Sequence, residues 1–91
     1  MVEEPGRSEM LADFARRLEQ GARIVRESRR DKFDPEYVSV RSADIAKEMG
    51  ANSCNAWAVR ELVKHLNANK KLKVKVEDDD PRHALIYVGL V

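Results

Sequence analysis

The sequence predicts one α+β domain, a core of three helices with a small antiparallel sheet, and two observations predict it. The first is the run RSADIAKEMGANSCNAWAVRELVK from Arg41 to Lys64, which holds two amphipathic segments separated by a short turn containing Gly50. The second is the alternation Leu72-Lys73-Val74-Lys75-Val76, followed by an acidic turn and the apolar segment Ala84 to Val88, which is the pattern of a β-hairpin.

Each element follows from local chemistry. Met1 to Arg7 contains Pro5 and Gly6 and reads as a flexible tail, so residues 1–7 precede a single domain over residues 8–91. Ser8 is a candidate N-cap, with Glu9 placed to favour the helix dipole. Leu11, Phe14, Ala15, Leu18, Ala22 and Val25 recur at steps of three and four, one apolar stripe on a long helix ending near Arg30. Gly21 keeps the phase of that stripe and predicts a weak point or slight bend. The segment DKFDPEY reads as a loop, because Pro35 pushes Asp34 away from helical angles. A short strand is expected at Tyr37 to Val40.

Ser42 is the expected N-cap of the second helix, with Ile45, Ala46 and Met49 inward and Gly50 in the left-handed terminating conformation. Asn52 or Ser53 would cap the third helix, whose inward residues would be Ala56, Val59, Leu62, Val63 and Leu66; Asn67, Ala68 and Asn69 end it. Strands at Leu72 to Val76 and Ala84 to Val88 then enclose a turn over Glu77 to His83.

Composition bounds the function. With 91 residues, 43% hydrophobic and 36% charged, the chain is expected to be one globular domain. No apolar run is long enough to span a bilayer, and MVEEPGRSE does not resemble a secretory signal, so a cytoplasmic location is expected. Cys54 is the sole cysteine and predicts no internal disulfide. No enzymatic reading emerges: His65, His83 and Cys54 have no metal-ligand spacing, and there is no phosphate-binding glycine loop or nucleophile motif. No cofactor, metal or small-molecule substrate is inferred. The acids of the turn lack the spacing of a calcium loop.

The net charge is +1, but from Arg41 to Lys75 eight basic residues face three acidic ones. That local excess is what a phosphate-binding face needs, and the compensating acids lie elsewhere, at the N-terminus and in Glu77 to Asp80.

The order helix, strand, helix, helix, strand, strand, with S-x-D-I-A-x-x-M-G leading into a capped amphipathic helix, resembles the winged-helix DNA-binding domains, including regulators of the MarR and ArsR type. The resemblance covers roughly Ser8 to Gly89. It implies a small transcriptional regulator that binds double-stranded DNA, with the third helix in the major groove and the hairpin, or wing, beside the backbone or minor groove. Winged helices also serve as protein-docking modules in larger complexes, which is the alternative reading. An RNA-binding module using the same basic face is a third.

Helical phase then supplies candidate contacts. Asn52, Ser53, Asn55, Arg60, Glu61 and Lys64 are the candidates for base edges, an Asn being able to bridge adenine N6 and N7. Arg41, Lys70, Lys71, Lys73, Arg82 and His83 are the candidates for phosphates. Cys54 and Trp57 fall on the same side of the third helix as Arg60. Trp57 has three readings: a ring closing the edge of the core, an anchor for a protein partner or dimer mate, or a DNA contact. Ile24 and Met10 lie off the main stripe of the first helix and would serve a homodimer or partner contact. Arg16, Arg23 and Arg30 at intervals of seven, interleaved with Glu19 and Glu27, read as a charged helix surface. The turn Glu77-Asp78-Asp79-Asp80-Pro81 would repel phosphate, leaving only Arg82 and His83 to approach it.

Overall fold

The amphipathic stripe of the N-terminal segment needs a surface to cover, and the rest of the chain provides it. The computed structural model describes residues 5–29, 31 and 36–91. The elements run α1 (Pro5–Ser28), β1 (Val38–Arg41), α2 (Ser42–Glu48), α3 (Ala56–Ala68), β2 (Leu72–Asp78) and β3 (Leu85–Leu90). This is an α+β fold of three helices and one three-stranded antiparallel sheet in the order β1-β3-β2.

Helix α1 is continuous over 24 residues and starts at Pro5. Proline suits a helix start, since its missing N–H is not needed there. Residues 5–7 therefore belong to the helix and not to the expected tail, and Ser8 is not an N-cap. The first four residues, Arg30 and Lys32 to Pro35 lie outside the described residues, so the predicted helix end at Arg30 and most of the DKFDPEY loop do too. Leu11, Phe14, Ala15, Leu18 and Ala22 are buried as the stripe predicts.

Strand β1 begins one residue later than expected and runs to Arg41, whose backbone N–H donates to Asp44 Oδ2 at 2.9 Å. That bond makes Arg41 the N-cap position of α2 and corrects the assignment of Ser42. Ser42 instead ties the helix to the hairpin, its N–H donating to the Ala84 carbonyl at 3.2 Å and its hydroxyl to the Arg82 carbonyl at 3.3 Å. Gly50 has φ +64°, the left-handed conformation expected after α2.

The cap of α3 is Asn55, whose Oδ1 accepts from the Ala58 N–H at 2.8 Å; neither Asn52 nor Ser53 caps it. With the helix starting there, Ala58, Val59, Leu62 and Leu66 are buried, Val63 is half-buried, and Ala56 is exposed rather than inward. Of the expected inward set only Ala56 is misplaced, Ala58 being the first-turn residue that is buried instead.

The two flanking strands pair on β3, with Val38, Val88 and Val74 in one row and Val40, Ile86 and Val76 in the next. These rows place Val40, Ile86 and Val88 against the helices, where they are fully buried. As the central strand, β3 carries the near-continuous apolar run that its position demands. A register shift between Val76 and Asp78 marks where the hairpin leaves regular pairing. Leu11, Ile45, Leu62, Leu66 and Ile86 form the centre of one core shared by all three helices and the sheet. Among the described residues no helix is long and apolar enough to cross a membrane.

Candidate nucleic-acid interface

Once Ala58, Leu62 and Leu66 are turned inward, the helical period turns Ala56, Arg60, Lys64 and Asn67 outward. Arg60 and Lys64 stand one turn apart, and neither makes an ion pair with another described residue. Beside them runs a groove of about 440 Å³ between α3 and β2, floored by Val59, Val63 and Val76 and flanked by Asn67 and Asp79. A second hollow of about 330 Å³ lies where Ser42 and Ala43 of α2, the loop Asn52-Ser53-Cys54 and Pro81-Arg82 of the hairpin meet. The hairpin contributes to both hollows, Asp79 to the one beside Arg60 and Lys64 and Pro81-Arg82 to the one beside Asn52 and Ser53.

The structure divides the predicted base-contact residues. Asn52 and Ser53 are exposed in the hollow, and Arg60 and Lys64 are exposed on α3. Asn55 spends its carbonyl oxygen on the cap, so bidentate pairing with adenine would undo the helix start. Glu61 belongs to another site. It lies on the flank of α3 facing α1, accepts from Ser8 Oγ at 3.0 Å, and has His65 Nε2 at 3.6 Å, with Ser8 Oγ 3.3 Å from that same nitrogen. This half-buried cluster joins α1 to α3 and removes Glu61 from the outward face. Sequence spacing alone could not separate Glu61 from Arg60, because one residue of phase decides which side each takes.

The phosphate candidates scatter further. Arg41 is exposed at the start of α2. Lys70 and Lys71 lie in the turn beyond the C-terminal end of α3, Lys71 close enough to Glu19 of α1 to help hold that carboxyl below its usual range. The larger causes there are hydrogen bonds from Asn69 and then Arg23. Lys73 faces the opposite side of the sheet from the helices, with its Nζ 3.9 Å from Glu36 and 5.3 Å from the Tyr37 ring centre. It is not part of the α3 surface.

The hairpin tip is built by its own acids. Asp78 Oδ1 accepts the Asp80 N–H at 2.9 Å, and Asp80 Oδ1 accepts the Arg82 N–H at 2.9 Å, two successive turns closed by carboxylates. The Arg82 guanidinium pairs with Asp80 Oδ2 at 3.3 Å and His83 Nδ1 lies 3.3 Å from Asp78 Oδ2. Arg82 and His83 thus have acidic neighbours within the turn while their side chains stay exposed, so a phosphate would compete with Asp80 and Asp78 for them. Hydrogen bonds from the Arg82 side chain and then its backbone hold the Asp80 carboxyl below its ordinary value of 3.8. A depressed carboxyl contributes stability that is present above the unfolded value and lost as pH falls through the folded one. Acid titration followed by amide NMR should therefore move the Arg82 resonance with a midpoint below 3.8, and Asp80→Asn should abolish that movement. A midpoint at the ordinary value would show the pair is not formed in solution.

Trp57 is half-buried and packs against the core. Cys54 is half-buried too, its Sγ 3.5 Å from the Asn55 carbonyl, and burial pushes the thiol above its ordinary 9.0, the opposite of an activated thiolate. Met10 and Ile24 are exposed at 47% and 62%, but they stand 14 residues apart on α1, about 21 Å along its axis. Between them Arg17 pairs with Asp13 and Glu48, so they do not form one apolar patch. Arg16 pairs with Asp13 and Arg23 with Glu19, as a charged helix surface would. Among the described residues no group of His, Cys, Asp or Glu is arranged to hold a metal ion.

Comparison with protein-family models, with curated proteins and with solved structures returns no significant match for this chain.

Proposed function

We propose that the chain is a winged helix that binds double-stranded DNA, with α3 in the major groove, as a small transcriptional regulator. The observation that carries this reading is the outward row Arg60, Lys64 and Asn67, whose two cations have no ion-pair partner among the described residues. Arg41, Lys47, Lys70 and Lys71 are exposed without an ion pair among the described residues as well, but Arg60 and Lys64 stand one turn apart on a single outward helix face. An unpaired Arg-Lys row on an exposed helix face is suited to guanine edges and phosphates, and the exposed Asn52 and Ser53 in the loop before the helix suit backbone contacts. The hairpin also braces α2 through Ser42, whose N–H and hydroxyl donate to the Ala84 and Arg82 carbonyls.

The test is duplex binding measured across salt concentration. Arg60→Ala combined with Lys64→Ala should weaken binding to every duplex about tenfold at low salt. It should also reduce the slope of log K against log salt by about 1.8, or about 0.9 for each phosphate no longer neutralised. An unchanged slope and affinity would take α3 out of the interface.

The acidic tip gives a second, smaller expectation. Replacing Asp78, Asp79 and Asp80 by Asn keeps an acceptor for each turn bond and removes three negative charges. Three charges within about one Debye length of a duplex repel it by roughly half a kcal/mol in total, so affinity should rise about twofold at low salt and the gain should fade as salt increases. Equal affinity at every salt concentration would place the tip away from the duplex.

A further inference from the structure

The outer face of the sheet has a chemistry of its own. The three helices cover the other face, and among the described residues no element covers this one. Alternation along the strands brings Tyr87 and Gly89 of β3 to it, with Lys73 and Lys75 of β2 and Arg41 of β1 on either side. In register, Lys75 stands opposite Tyr87 and Lys73 opposite Gly89.

Tyr37, just ahead of β1, lays its ring over the backbone of Gly89. A Cβ at residue 89 would come within 3.0 Å of Tyr37 Cδ1 and 3.3 Å of the Glu36 carbonyl, so the seat exists because the residue is glycine. The Tyr37 and Tyr87 rings meet edge to face, centroids 6.2 Å apart and planes at 64°. Tyr37 remains 41% exposed. The chain has two tyrosines, and both stand here. With Lys73, Lys75 and Arg41 around them, the two rings put aromatic and basic chemistry on one face.

We infer that this face is a second binding site, for single-stranded nucleic acid, independent of the duplex surface proposed above. The Tyr37 ring, seated on Gly89 with Lys73 Nζ 5.3 Å from its centre, becomes a stacking surface for an unpaired base when Lys73 swings to a connecting phosphate, and Lys75 and Arg41 offer further cations. The lysines' present partners are weakly held: Lys75 lies 3.4 Å from Glu77 and Lys73 3.9 Å from Glu36, all of them exposed, and pairs of that kind are readily exchanged for phosphate. A duplex is the wrong shape for this face, which has no protruding helix or arm to enter a groove. A protein partner is disfavoured by lysines at the centre of the patch, where protein interfaces are depleted of them.

The test is fluorescence anisotropy of the full chain with labelled oligouridylate, oligothymidylate and a mixed-sequence duplex. Both single strands should bind at low salt, and Tyr37→Ala should weaken them about tenfold while leaving the duplex unaffected. Tyr37→Phe should bind as the parent does. Lys73→Gln with Lys75→Gln, two exposed changes that leave the core intact, should weaken single strands several-fold and flatten their salt dependence. Arg60→Ala with Lys64→Ala should leave single-strand binding unchanged. Tighter binding of the ribo strand would assign the face to RNA through the 2′-hydroxyl, and equal binding would assign it to single strands of either sugar. Failure of both strands to bind overturns the inference. So does their release by the α3 variant while Tyr37→Ala still binds them, or displacement by polyglutamate with indifference to Tyr37, which would mark an acidic protein partner.

Discussion

Truncation of Leu62 to Ala should lower the stability of the domain by about 3–5 kcal/mol, the range for deleting a fully buried leucine whose site cannot collapse. Leu62 is 0% exposed, and it lies in the middle of α3, the helix that packs against both α1 and β2. The cavity would open between elements fixed by separate anchors: the Ser8–Glu61–His65 cluster and the Asn69–Glu19 bond hold α3 to α1, while the Asn55 cap fixes its start. Such anchoring leaves little room for relaxation, so the upper half of the range is expected. For a domain of this size each kcal/mol corresponds to about 4–8 °C, and the melting temperature should fall by roughly 15 °C or more. Urea unfolding followed by far-UV circular dichroism gives the same quantity with an unchanged m-value if the folded state is otherwise retained. A loss below about 1 kcal/mol would mean that α3 repacks freely, and that its outward row is not held in a fixed orientation. Duplex binding by the surviving folded fraction should persist, since Leu62 does not reach the outward face.

How much of this was legible in the sequence depended on which physical signal carried it. The stripe of α1 and the alternation of β2 were legible because each repeats over many residues, and a repeat survives an error at one end. Gly50 was legible because the left-handed angle needs a residue without a Cβ. Helix starts were not. Ser8, Ser42, Asn52 and Ser53 are all chemically competent caps, and only the tertiary packing chose Asn55 and gave the serine hydroxyls to Glu61 and the Arg82 carbonyl. The errors at Ala56 and Glu61 are separate ones of helical phase: the buried set is centred on Ala58, Leu62 and Leu66, which leaves Ala56 outward and turns Glu61 towards α1.

The candidate site was legible in its cations and illegible in their company. Arg60 and Lys64 could be placed on one face from their spacing. That Arg82, His83 and Lys73 already had acidic or aromatic neighbours depended on the turn geometry and on pairing across the sheet. The tyrosine face was hidden for a related reason. Tyr37 and Tyr87 are 50 residues apart, and only the antiparallel register of β1 on β3 brings them together. The weak signal available was within β3, where Tyr87 and Gly89 alternate with Ile86 and Val88.

Trp57→Ala should cost about 2–3 kcal/mol, less than a fully buried tryptophan because only part of the ring is covered. Trp57 lies in the first turn of α3, immediately before the fully buried Ala58, and packs against the core from the edge. It is the single tryptophan of the chain, so the variant has to be followed by circular dichroism rather than by intrinsic fluorescence. Trp57→Phe should recover about half of the loss, as expected when apolar contact area rather than the indole N–H carries the effect. The functional consequence should be indirect. Arg60 follows Trp57 by three residues, so loosening the first turn of α3 should weaken duplex binding along with stability. Arg60→Ala with Lys64→Ala should instead weaken binding at an unchanged melting temperature. That contrast separates support of the helix from contact with the ligand. If Trp57→Ala left stability untouched, the ring would be free of the core, and the reading of Trp57 as an anchor for a protein partner would replace the one in which it closes the core edge behind the α3 surface.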